Sequence, residues 1–180
     1  MATPHLPSEQ VSRISELVAE YISDQRRRFV RLAANLPSTH KERLTGFFRQ
    51  DLLETTRTVV LEKERIDNPS FYSILKPLGF SNLPDFALMA AVTYQDVVVS
   101  HEPFSDGLLF HELVHVEQYR QLGVPSFSAL YVRGFLRGGG YDGIALEINA
   151  YDLGGRFEAD PRKTFSVGKE VSTWIAQDRF

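Results

Sequence analysis

The sequence predicts an α+β domain, predominantly helical with a small sheet. Three patterns predict it. Val11, Ile14, Val18, Tyr21, Ile22, Phe29 and Leu32 recur at helical spacing near the start of the chain. Residues 92–100 (VTYQDVVVS) carry the strongest β-branched bias in the chain. Residues 106–122 read as a helix of about four to five turns, with Ser105 or Asp106 at its start and Gly123 and Pro125 at its end. With 180 residues, 43% hydrophobic and 24% charged, the chain is an ordinary globular domain. The net charge of −3 makes no global case for binding nucleic acid or an anionic membrane. Cysteine is absent, which excludes disulfides, thiolate zinc sites, iron–sulfur clusters and cysteine catalysis. Any metal has to be held by histidines and carboxylates.

The elements follow in order. Ser8 caps a first helix over about residues 9–34, and Asn35-Leu36-Pro37-Ser38 breaks it. The chain therefore reads as one domain over 1–180, with 1–38 as a candidate helical appendage. Thr39-His40-Lys41-Glu42 reads as a capping box opening a second helix, whose buried side is Leu44, Phe47, Phe48 and Leu52. Residues 55–61 are β-branched enough to form a strand, and Asn68-Pro69 is a turn. Residues 71–78 suit one or two helical turns, and 86–91 a short strand or a helical turn. Residues 92–100 form a single strand, with Asp96 marking an exposed or edge position. A further helix spans 126–136, Gly138-Gly139-Gly140 is loop, and Asp142 caps a helix over 144–157. Residues 167–176 close the chain as a helix or strand. The first residues lack the pattern of a signal peptide, and no apolar run approaches the length of a membrane span. The expected location is the cytoplasm.

The chemistry lies in His111-Glu112-Leu113-Val114-His115. Histidines at i and i+4 share one helical face and can point two ring nitrogens at one ion. Glu112 flanks that face, where a carboxylate reaches a metal-bound water and not the metal. Zinc in such a site lowers the pKa of its water to about 7, and the glutamate carries the proton onward. Chance occurrence of the pattern in a chain this size is on the order of one per cent. Apolar residues surround it on nearly every side of the helix, so two histidines and a glutamate are buried there, costly without a partner. A third ligand is still needed. Position 121 is Gln, and no histidine follows His115, so the ligand is a downstream carboxylate or one of His5, His40 and His101. Glu147, 32 residues past His115 and set among Leu146, Ile148 and Ala150, is the best candidate. Asp142, Asp152 and Glu158 are its rivals, in that order.

The segment His111-Glu112-Leu113-Val114-His115-Val116-Glu117-Gln118-Tyr119, followed by Leu146-Glu147-Ile148-Asn149-Ala150-Tyr151, resembles the gluzincin branch of zinc metallopeptidases. It is similar to small single-domain bacterial members, including domains that accompany extracellular contractile injection systems. The resemblance covers about a third of the chain. It implies a zincin-like fold, His111, His115 and Glu147 as zinc ligands, Glu112 as general base, and a peptide or protein substrate paired along an edge strand. Larger gluzincins often place an Asp four residues after the ligand Glu to orient a ligand histidine. Here that position is Tyr151, with Asp152 one step on.

A peptidase also needs a donor for the developing oxyanion. Tyr141, on the glycine-rich loop, and Tyr151, one turn past Glu147, are the leading candidates, with Tyr131 and His101 behind them. Gly138-Gly139-Gly140 reads as a connector more than as a mobile lip. Arg26-Arg27-Arg28 with Arg31 reads as a solvated helix face and not as a nucleic-acid site. Two other expectations remain. One is a catalytically silent, zinc-stabilised interaction module. The other is a latent enzyme whose cleft is covered by the first helix or the C-terminal tail.

Overall fold

The computed structural model describes residue 4 and residues 6–180. The described chain is α+β, with helices α1 (Ser8–Phe29), α2 (Ser38–Leu44), α3 (Gln50–Thr55), α4 (Tyr72–Leu75), α5 (Asp106–Gly138), α6 (Ala145–Ala159) and α7 (Val167–Ala176). The strands are β1 (Ala34–Asn35), β2 (Arg57–Val60), β3 (Ala91–Tyr94) and β4 (Val97–Ser100), in the order β1-β2-β4-β3. β2 runs parallel to β4, with Arg57 opposite Val97, while β1 and β3 are antiparallel to their neighbours. No helix among the described residues is long and apolar enough to cross a membrane.

β4 is buried on both faces, which is why Val97 to Val99 run apolar without alternation. Because strand side chains alternate, Val98 enters one core cluster and Val97 and Val99 the other. The first cluster joins the sheet to the first half of α5, to α6 and to α7, with Phe110 and Phe157 stacked at 4.4 Å. The second joins the opposite face to α1 and the second half of α5. Ile14, Ile22 and Phe29 of α1 are buried in it, and Tyr94 stacks on Phe29.

Several local expectations change. Residues 92–100 are a hairpin and not one strand. Gln95 takes φ 61°, and Asp96 sits in the turn, where the Arg26 guanidinium grips its carboxylate with two hydrogen bonds. The first helix stops at Phe29, because Ala34 and Asn35 extend to pair with Thr58 and Arg57. The box at 39–42 does not form: Pro37 holds the cap position of α2, and no side chain caps it. Asp142 does not cap α6 either. Residues Tyr141–Gly143 form a 3-10 turn, and Ile144 takes the cap position. Ser105 does cap α5, accepting from the Leu108 amide at 3.1 Å. α5 is broken where the sequence places its end. Gly123, at φ 72° and ψ 161°, is its only non-helical residue, and the helix resumes through Pro125.

Candidate metal centre

The break at Gly123 and a glycine contact bring the chain back to its own histidines. A Cβ on Gly138 would lie 2.4 Å from the Gly143 Cα, and one on Gly143 equally close to Gly138. Only two glycines permit that crossing, which folds residues 139–143 tightly and lays α6 along α5. Gly139, at φ 74°, supplies the left-handed residue that ends α5. Glu147, in the first turn of α6, thereby reaches the face carrying His111 and His115.

Three donor atoms converge there. His111 Nε2 lies 3.2 Å from His115 Nε2, and Glu147 Oε2 lies 3.5 Å and 3.3 Å from them. A tetrahedral ion at about 2.0–2.1 Å from each donor needs donors about 3.3 Å apart, so the triangle fits one. Glu147 Oε2 is buried and has no hydrogen-bond donor among the described residues. That is costly for a carboxylate unless a cation meets it. Burial alone would raise the Glu147 pKa, but the two imidazoles override it and hold the group well below the usual carboxylate range. Burial likewise favours neutral His115, yet the Glu147 charge lifts its pKa to about 9. The site thus demands a positive charge, which a proton or a divalent ion can supply. The His111, His115 and Glu147 group is able to hold a metal ion.

The neighbours set the ligands' orientation. His115 Nδ1 lies 2.9 Å from Gln118 Oε1. The Gln118 amide nitrogen donates to the Leu146 carbonyl at 3.0 Å and to Asn149 Oδ1 at 2.9 Å. Gln118 Oε1 can only accept, so Nδ1 of His115 carries the proton and Nε2 turns its lone pair to the ion. Tyr151 and Asp152 do not play this part. Tyr151 is 62% exposed and packs its ring on His111 at 4.5 Å, and Asp152 is exposed. Glu112 is buried beside the triad, and Thr93 of β3 donates to its Oε2 at 2.6 Å.

The other sequence candidates separate clearly. His101 bonds the Met89 carbonyl and the Ile66 amide, and His40 lies against Asp106 at the start of α5, so neither joins the triad. His5 lies outside the described residues. Asp142 and Asp152 are exposed, and Glu158 lines an outer groove beside Gly107. Tyr141 lies at the site. Burial, then the Glu147 charge, hold its phenol protonated far above its ordinary range. Tyr131 and Tyr119 are likewise raised by burial and by Glu147. Within the arginine cluster, Arg26 pairs with Asp96, Arg27 with Asp24, and Arg28 lies near Glu64 and Asp67.

Sequence reasoning missed the roles of Gln118 and Thr93. Gln118 had one local signal, its place about one helical turn past His115 on the same face; Thr93 had none. The triad sits between two concavities. One is an outer groove lined by Met89, Ala91, Gly107, Tyr151 and Glu158, and the other an inner apolar cavity. Comparison with models of known protein families, with curated proteins and with solved structures finds no match for this chain. The geometry by itself establishes an α+β chain with a buried group of two histidines and one glutamate that is suited to a metal ion.

Proposed function

We propose that this chain is a zinc-dependent peptidase of gluzincin type, with a zincin-like fold. The observation that carries the reading is the triangle of His111, His115 and Glu147 donors with the Glu112 carboxylate anchored beside it and a groove open to it. Zinc held there would acidify a water and polarise a substrate carbonyl. Glu112 has one oxygen fixed by Thr93, so the other is left to take the proton of the attacking water and pass it to the leaving amine. Tyr141, kept protonated, is the donor suited to the developing oxyanion. Tyr151 acts by packing against His111. β3 is an edge strand, and Met89 to Ala91 line the groove, an arrangement that suits pairing with an extended peptide backbone.

The test is a digest of unfolded protein and of peptide libraries read by mass spectrometry, with metal content measured in parallel. Glu112→Gln keeps one equivalent of zinc and loses two to four orders of magnitude in turnover, roughly the weight of a general base. Undiminished turnover in that variant rejects the mechanism. Glu147→Ala loses the zinc; retained stoichiometry rejects Glu147 as ligand.

A further inference from the structure

Behind the triad lies a cavity of about 120 Å³, and residues 66–89 cover it. Phe71, Leu75, Phe80, Phe86 and Met89 of this segment line it. The segment holds only α4 and two short 3-10 turns, at Lys76–Leu78 and Phe86–Leu88. Long connections with so little regular structure are commonly lids or binding loops. Among the described residues, no strand pairing ties it to the sheet. Side chains do so instead. Asn82 donates to the Gly139 carbonyl at 2.9 Å, and a Cβ on Gly140 would lie 2.8 Å from the same amide nitrogen. The tip is thereby fastened to the loop before Tyr141. Tyr21 donates to the Asp67 carbonyl near one end.

Both roots meet at one imidazole. The Ile66 amide donates to His101 Nε2 at 3.1 Å, so that nitrogen is bare. The neutral ring then carries its hydrogen on Nδ1, which faces the Met89 carbonyl at 2.6 Å. Ile66 is fully buried, so an amide turned off the ring there goes unpaired. Only the neutral ring holds both roots. An imidazolium has an N–H on each side and would set one of them against the Ile66 N–H. The charged groups of the segments around the ring do not offset this. Glu64 and Asp67 lie near Arg28, Asp85 accepts from Asn68, and Arg65 and Glu102 are exposed.

We propose that residues 66–89 are a lid over the inner cavity, fastened at both roots by neutral His101 and released when that ring takes up a proton. The open form binds a proton that the closed form disfavours, so falling pH promotes opening. Histidine ordinarily changes charge between about pH 5 and 8. Met89 lines the outer groove as well, so release at that root also reshapes the groove beside His111. The lid does not depend on the peptidase reading.

The test is hydrogen exchange of the chain as purified, with metal content measured at each pH and rates corrected for the pH dependence of free amides. From about pH 7.5 to about 5.5, protection of the Ile66 amide falls about tenfold, the weight of one hydrogen bond, while α7 keeps its own. His101→Gln offers Ile66 an acceptor and Met89 a donor without titrating, so its lid stays closed at both pH values. Undiminished protection in the parent chain, or an equal fall in His101→Gln, overturns the proposal. If His101→Gln does not fold, His101→Asn is read instead. It donates to Met89 but falls short of Ile66, so that amide exchanges freely at both pH values, and a surviving pH dependence overturns the proposal. Because the chain has no cysteine, Leu75→Cys supplies a single reporter thiol in the cavity wall. Its labelling by a maleimide, relative to a free thiol at the same pH, speeds up about tenfold as the Ile66 amide is released. A released amide with the thiol still blocked marks a local clasp and no lid, which also overturns the proposal. Neither measurement uses turnover, so a chain without peptidase activity tests the lid equally well.

Discussion

Gln118 offers the sharpest test of how this site is organised. It is fully buried, accepts from His115 and donates to both the Leu146 carbonyl and Asn149. One side chain therefore sets the tautomer of one ligand and ties down the turn that carries another, since Leu146 precedes Glu147. Gln118→Met keeps the volume and removes every hydrogen bond. His115 then loses its orienting acceptor, and groups that orient a ligand histidine typically carry about 10- to 100-fold in metal affinity. That corresponds to about 1.4–2.7 kcal/mol. The fold also pays for stranded partners, at about 1–3 kcal/mol for each buried group left unsatisfied. Gln118→Glu is the contrast. Its carboxylate still accepts from His115 but cannot donate to Leu146 or Asn149, so stability falls while the tautomer is kept. Zinc affinity is read by competition with a chromophoric chelator, and stability by urea unfolding of the metal-free chain. The expected order of affinity is wild type and Gln118→Glu together, with Gln118→Met below. Wild-type affinity in a folded Gln118→Met protein would refute the tautomer argument.

Two more outcomes follow from the same contacts. Thr93→Val removes the hydroxyl that fixes Glu112 Oε2 while keeping the shape. It should lower kcat about 10- to 100-fold, part of the general-base contribution, with KM and zinc content unchanged. Thr93→Ser should restore it, and an equal loss in both variants would assign Thr93 to packing alone. Tyr21, which donates to the Asp67 carbonyl, is raised by burial to about 12 from an ordinary 10.0. Between those values the unfolded phenol has lost its proton and the folded one keeps it. Stability is therefore unaffected below pH 10 and falls as pH rises toward 12. Urea midpoints across that range should show the advantage of the wild type over Tyr21→Phe shrinking with pH, and a constant gap would contradict the shift.

What was legible in the sequence is what depends on neighbours along the chain. His111 and His115 share a face because a helix has a fixed pitch, and the start at Ser105 and the break at Gly123 are local backbone chemistry. Glu147 stood out as a carboxylate among apolar residues, which burial makes costly wherever the helix packs. The hairpin was hidden for the opposite reason. Burial on both faces makes Val97 to Val99 of β4 apolar without alternation, and Gln95-Asp96 lacks the usual turn signature. The turn is held by Arg26, 70 residues away. Thr93 and Gln118 reach partners 19 and 31 residues distant. The same holds for the wall that α1 gives the inner cavity. Hydrogen bonds and cavity walls between separate elements leave no periodicity, so only tertiary packing decides them. The sequence determined which side chains have metal chemistry; the fold determined that three of them meet within 4.8 Å, which one carries its proton where, and what space lies beside them.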